Sequence, residues 1–139
     1  GPLRLTDVRK DPKMGVVHKY KGDGQSAHEW ENVEMEPYTA GGAVGGSVRV
    51  VIGPDDGAHN FAVRYFEIEP GGQSSFDRHE HDHGVYVLKG RGRVLMGWEV
   101  HEVGPGDVVY IEPDEQHQFE SIGEGPLGFL CVVPPKEEG

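Results

Sequence analysis

Short β-branched and aromatic stretches, each closed by a turn rich in glycine or proline, most limit what this chain can fold into. SVRVVI (47–52), FAVRYFEIE (61–69), GVYVLK (84–89), GRVLMGW (92–98), DVVYI (107–111) and PLGFLCVV (126–133) are too short for core helices and rich in strand formers. GPDDG, EPGG, KGRG, VGPGD and IGEGP separate them, and all are turn chemistry. A strand about every ten to fifteen residues marks a sandwich or barrel. The residue balance agrees: Val and Ile together number 22, against 14 for Leu, Ala and Met, which argues against a helical bundle. The chain is therefore predicted to be all-β.

The 139 residues suffice for one domain. Residues 1–30 are polar and weakly periodic and read as an N-terminal arm. Residues 31–135 read as a single barrel domain, and 136–139 as a frayed tail. There is no internal repeat. Along 61–69, Ala62, Arg64, Phe66 and Ile68 share one face, and Phe61, Val63, Tyr65, Glu67 and Glu69 the other. Neither face is purely apolar, as expected of a barrel interior with a polar mouth or of an oligomer contact.

Thirteen basic residues face 24 acidic ones, a net charge of -11. That lacks the basic footprint needed by nucleic acid or an anionic membrane, so neither is an expected partner. No apolar run approaches the ~18 residues of a membrane span, and no apolar opening resembles a signal peptide. The single cysteine, Cys131, forbids an intrachain disulfide and fits a reducing, cytoplasmic setting. Within GFLCVV it reads as a small, inert core hydrophobe.

Three of the eight histidines, His79, His81 and His83, fall within FDRHEHDHGVYV. On a strand, residues i, i+2 and i+4 share a face, and neutral imidazole is the commonest metal ligand. A straight strand, however, would set the Cα atoms of His79 and His83 ~13 Å apart. Either the segment bends, with Gly84, Glu80 and Asp82 favouring a bend, or one of the three stands outside the ligand set. His117, after the EPDE turn, opens a returning strand from Gln116 that can face this cluster. Taken alone it reads as a structural histidine. His18, His28, His59 and His101 read as surface residues.

Together, PGGQSSFDRHEHDHGVYVLKGRG and GPGDVVYIEPDEQHQFES resemble the cupin superfamily, whose motifs are G-x5-H-x-H-x3,4-E-x6-G and G-x5-P-x-G-x2-H-x3-N. The resemblance covers residues 62 to 133. It implies a jelly-roll-like β-barrel of two antiparallel sheets with a site in its mouth. Counting from Gly90, His83 stands at the family's Glu and Asp77 at the position of its first His. In that register His79 and His83 are ligands and His81 is extra. In the other, His79 and His81 form the family's pair. Asp114 or Glu115 replaces the second motif's Gly, Ser121 replaces its Asn, and His117 holds the expected place. The resemblance thus implies an all-histidine site drawn from His79, His81, His83 and His117. Such a site would hold one divalent transition ion per chain from among Zn, Fe, Ni, Cu, Co and Mn.

The expected function is a metal-dependent enzyme of oxygenase type acting on a small organic molecule. The alternatives are a metal-dependent isomerase or lyase on a sugar or other polar metabolite, and a non-catalytic binding or sensor domain. Gln73, Phe76, Tyr86, Trp98, Tyr110 and Phe119 are candidate pocket residues. Glu112, Gln116 and Gln118 are candidate polar contacts at the mouth. A homodimer is expected, with the arm covering a neighbour's strand edge and Trp30 as its buried anchor.

Overall fold

The structure, a computed structural model, describes residues 14–23 and 28–135. The first thirteen residues of the expected arm and the expected tail, 136–139, lie outside the described residues. Nine strands follow in chain order: β1 (Met35–Tyr38), β2 (Val44–Ile52), β3 (Ala62–Gln73), β4 (His83–Lys89), β5 (Gly92–Met96), β6 (Glu99–Val103), β7 (Val108–Ile111), β8 (His117–Ser121) and β9 (Leu127–Val133). A three-residue 3-10 turn, Pro54–Asp56, is the helical content of the described residues.

All nine strands belong to one curled antiparallel sheet, ordered β6-β5-β8-β3-β9-β4-β7, with β2 also on β3 and β1 on β2. The curl is made by β3. Its first seven residues pair with β9 from Ala62↔Val133 to Ile68↔Leu127, and its last residue pairs with β8 through Gln73↔Glu120. β3 therefore leaves one layer and enters the other at Pro70-Gly71-Gly72. The expected EPGG turn is instead a bend inside a single strand. Gly71 has φ 84, and a Cβ on Gly72 would lie 2.3 Å from the Val44 carbonyl oxygen, so neither position suits a side chain.

Alternate residues of both layers point inward. Phe66 and Ile68 of β3, Val85 and Val87 of β4, Val94 of β5, and Leu127 and Phe129 of β9 are buried together. Each such side chain contributes ~1.5–3 kcal/mol by leaving water. Phe129 stacks between Phe66 and Phe119, with centroids 5.5 and 4.6 Å away.

One strand is shorter than expected. The stretch 92–98 is a strand only to Met96, because Gly97 takes φ 60 and the chain reverses there. Within the chain, Trp30 packs on the outer face of β3. Tyr65 points outward from β3 yet is fully buried, because Trp30 packs edge-on against it at 5.4 Å and His28 stacks on it at 5.4 Å. A bridge between Tyr20 and Trp30 holds the arm in this place.

Candidate metal centre

The segment carrying the three clustered histidines is not a straight strand. After Asp77 the chain leaves the sheet, bends at Glu80 and His81, and re-enters it at His83, the first residue of β4. The bend brings the His79 and His83 rings to 5.2 Å, far closer than an extended run allows. His117, the first residue of β8, completes the group, at 5.6 Å from His79 and 5.0 Å from His83. One nitrogen from each of His79, His83 and His117 lies within 4.8 Å of the other two.

His81 stands beside this group rather than in it. Its ring stacks on His79 at 5.1 Å, nearly parallel, and its Nδ1 lies 3.3 Å from the Asp82 carbonyl oxygen. The geometry thus follows the register that pairs His79 with His83. It also distinguishes Asp114 from Glu115. Asp114 has φ 64, the left-handed conformation for which the second motif uses glycine. Its amide donates to the His79 carbonyl at 2.6 Å, joining the turn before β8 to the histidine loop.

The donor set fits a divalent transition ion. The His117 Nδ1–H donates to the Glu115 carbonyl at 2.9 Å, which leaves Nε2 as a free lone pair. His83 Nδ1 faces Cys131 Sγ at 3.4 Å, and its Nε2 is buried with no hydrogen-bond partner. An orphaned buried imidazole nitrogen beside two others is costly unless something accepts its lone pair. An ion bound at ~2.1 Å holds its nitrogens no more than ~4.2 Å apart, so small ring rotations close the set. Burial, reinforced by the neighbouring histidines and Arg64, holds His83 down to about 3. Burial also lowers His79, and Asp77 opposes that shift. His83 is therefore neutral at pH 7, as a ligand must be.

A polar relay backs the histidines. Tyr38 Oη lies 2.5 Å from Ser75 Oγ and accepts from the Ser75 amide at 2.9 Å. Ser75 Oγ donates to Asp77, whose carboxylate lies 3.6 Å from His79 Nε2. The surroundings are thus not purely histidine, since Asp77 supplies one negative charge.

These groups open into a cavity of about 210 Å³, walled also by Arg64, Phe119, Phe129 and Cys131. Of the six candidate pocket residues only Phe119 lines it. Gln73 donates to the Gly42 carbonyl at an exposed position, and Phe76 sits exposed in the loop after β3. Tyr86 and Tyr110 occupy the outward parity of β4 and β7. Trp98, 98% exposed, caps the β5–β6 hairpin. Tyr110 borders a separate, larger groove of about 430 Å³ between β5–β6 and β7. Glu112, Gln116 and Gln118 do not line the cavity, and Gln118 is bound to the Ser74 carbonyl. Arg64, Ser75 and Tyr38 join the site without a motif to mark them. Cys131, expected to be plain core, forms part of the wall, and burial pushes its thiol up. Nor are His18 and His28 simple surface residues: His18 Nε2 pairs with Asp56 at 2.7 Å.

The cupin domain pattern matches residues 64–133, the span holding Arg64, Ser75, Asp77, His79, His83, His117 and Cys131. The chain belongs to the cupin family. This cupin is 40% identical over 111 residues to the 1-methylthio-D-xylulose 5-phosphate methylsulfurylase of Rhodospirillum rubrum, covering 78% of this chain and 70% of that one. Among solved structures, a cupin-2 domain protein of the same organism superposes with TM-score 0.74 at 35% identity, over 83% of this chain and 78% of that one. The polyketide cyclase RemF of Streptomyces resistomycificus gives 0.70 at 32% identity, over 78% of each chain. No helix among the described residues is long and apolar enough to cross a membrane.

Proposed function

We propose that this cupin is a metal-dependent enzyme that acts on a small organic molecule in the 210 Å³ cavity, with one divalent transition ion on His79, His83 and His117. The observation that carries this reading is the partnerless Nε2 of buried His83, set beside two further imidazoles. Bound there, such an ion supplies Lewis acidity and an open coordination position. The chain's own groups do the rest. Cys131 and the Glu115 carbonyl fix ring orientation at His83 and His117, and the Phe119–Phe129 stack excludes water from the cavity floor.

The names of the two relatives, a methylsulfurylase and a cyclase, favour polarisation of an oxygenated substrate, as in the isomerase or lyase class. The oxygenase reading is the second one, favoured by a neutral three-histidine donor set that leaves room for O₂ beside the substrate. Elemental analysis of protein purified without chelator tests the metal, with one ion per chain expected. Oxygen uptake alongside turnover then separates the classes: turnover without oxygen supports the first and oxygen consumption the second. A protein that neither retains nor takes up a transition ion would overturn both.

We also propose a homodimer, now on a different surface. Tyr86, Val108, Tyr110 and Val132 form an exposed apolar patch on the outer face of β9-β4-β7. Light scattering giving twice the chain mass is the expected result, and a monomer at micromolar concentration rejects it. A cytoplasmic setting accords with the unpaired Cys131.

A further inference from the structure

We propose that the cavity receives a small organic anion, with Arg64 binding its carboxylate or phosphate group while another donor of the same molecule faces the three histidines. The second half of this statement rests on the metal-enzyme reading above, and the first half does not.

Arg64 lies on the inward face of β3, between Ala62 and Phe66, where its neighbours of the same parity are buried and apolar. A guanidinium does not lose its charge in a protein, so enclosing one is costly unless an acceptor meets it. Its Nε is buried with no hydrogen-bond partner, and it forms no salt bridge among the described residues. The compensation present is soft: the Phe66 ring, 5.0 Å from the guanidinium carbon, and the Cys131 thiol.

The other polar groups of the cavity are already committed. Asp77 accepts from Ser75 and sits against His79. Ser74 Oγ accepts from the Phe119 amide at 2.8 Å and donates to the Ser75 carbonyl at 3.1 Å. Arg64 is therefore the cavity's available anion donor, and its planar fork matches the paired oxygens of a carboxylate or phosphate.

Spacing ties this cation to the histidines. Arg64 is aligned with Cys131 on β9, and Cys131 with Val85 on β4, two residues beyond His83. Two strand spacings of ~4.8 Å separate Arg64 from β4, a distance that a molecule of a few bonds bridges. A cavity of about 210 Å³ suits a compact molecule. The chain's net charge of -11 repels anions in general, so retention of one requires a local cation such as this.

The test is isothermal titration of the full chain with malonate and with phosphoglycolate, each with and without bound Zn, and with dimethyl malonate as the neutral control. Wild type is compared with Arg64→Gln and Arg64→Lys, and melting curves verify that each variant is folded. At least one anion is expected to bind, with the ester failing to do so. Arg64→Gln should weaken binding about tenfold to a hundredfold and leave zinc stoichiometry unchanged, while Arg64→Lys should recover part of the affinity. The tighter of the two anions identifies the recognised group. Should Arg64→Gln fail to fold, the comparison of wild type with Arg64→Lys, together with the ester control, carries the test. Unaltered anion affinity in a folded Arg64 variant, equal binding of the ester, or no anion binding in either metal state would overturn the proposal. Absence of zinc binding by wild type would overturn the metal reading instead, and the zinc-free titration still reads Arg64 on its own.

Discussion

The amide of His117 donates to the carbonyl of Asp77 at 2.9 Å, and the Asp77 amide returns a hydrogen bond to the His117 carbonyl at 3.0 Å. With the bond from the Asp114 amide to His79, this exchange fastens the irregular histidine loop to the start of β8 by main chain alone. The imidazoles are therefore placed by backbone pairing before any ion is considered, which lowers the ordering cost of binding one.

That arrangement separates the four motif histidines. His79→Ala, His83→Ala and His117→Ala should each lower zinc affinity by at least about tenfold, and His81→Ala should change it little. Elemental analysis after dialysis checks this. Retention of full metal by all three triad variants would reject the site.

Acid should destabilise the metal-free protein through His83. Its folded pKa of about 3 lies below the unfolded value of ~6.5, so the unfolded chain takes up the proton first. The contribution to stability is complete above ~6.5 and is lost as pH falls toward about 3. His79, also lowered, acts in the same direction. Urea unfolding across this range should show a shallower pH slope for His83→Gln than for wild type, and identical slopes would contradict the assignment.

The contact of Trp30 with Tyr65 predicts a stability loss of about 1–2 kcal/mol for Trp30→Ala. Trp98→Ala, at a position 98% exposed, should stay within about 0.5 kcal/mol. Acrylamide quenching provides a second reading, because Trp98 should supply most of the accessible fluorescence. Equal quenching of both single-tryptophan variants would argue against the arm's placement.

Asp114→Gly should be tolerated because φ 64 suits glycine. Asp114→Val should cost about 1–2 kcal/mol at that dihedral. It should also weaken zinc binding, because the same turn holds the His79 carbonyl. Thermal melts with and without zinc measure both effects, and an unaffected valine variant would show that the turn adapts freely.

Much of this fold was legible because strands alternate visibly and their turns carry Gly and Pro. The bend in β3 was not, because EPGG has the composition of a turn and only the paired strands reveal one continuous strand through it. His79, His81 and His83 were readable as a cluster and His117 only through the second motif, but setting His81 apart from the other three required the bend at Glu80 and His81. For the pocket aromatics, closeness to the motifs in sequence does not decide which face of a strand they take. Tyr86 alternates with His83, Val85 and Val87, so it faces away from the site that they face. The same parity already set Arg64 beside Ala62, Phe66 and Ile68. What the sequence lacked was the knowledge that this face is the interior.

Because β3 pairs with β2 before it in the chain and with β8 and β9 far beyond it, the site is completed only by contacts distant in sequence. The strand stays unpartnered on one side until Leu127–Val133 has left the ribosome and returned across half the chain. Closing so large a loop is entropically expensive, and topologies of this kind fold in about milliseconds to seconds. During that interval β3 exposes Phe66 and Ile68 on an open edge, so the nascent chain is most prone to aggregate just before β9 arrives.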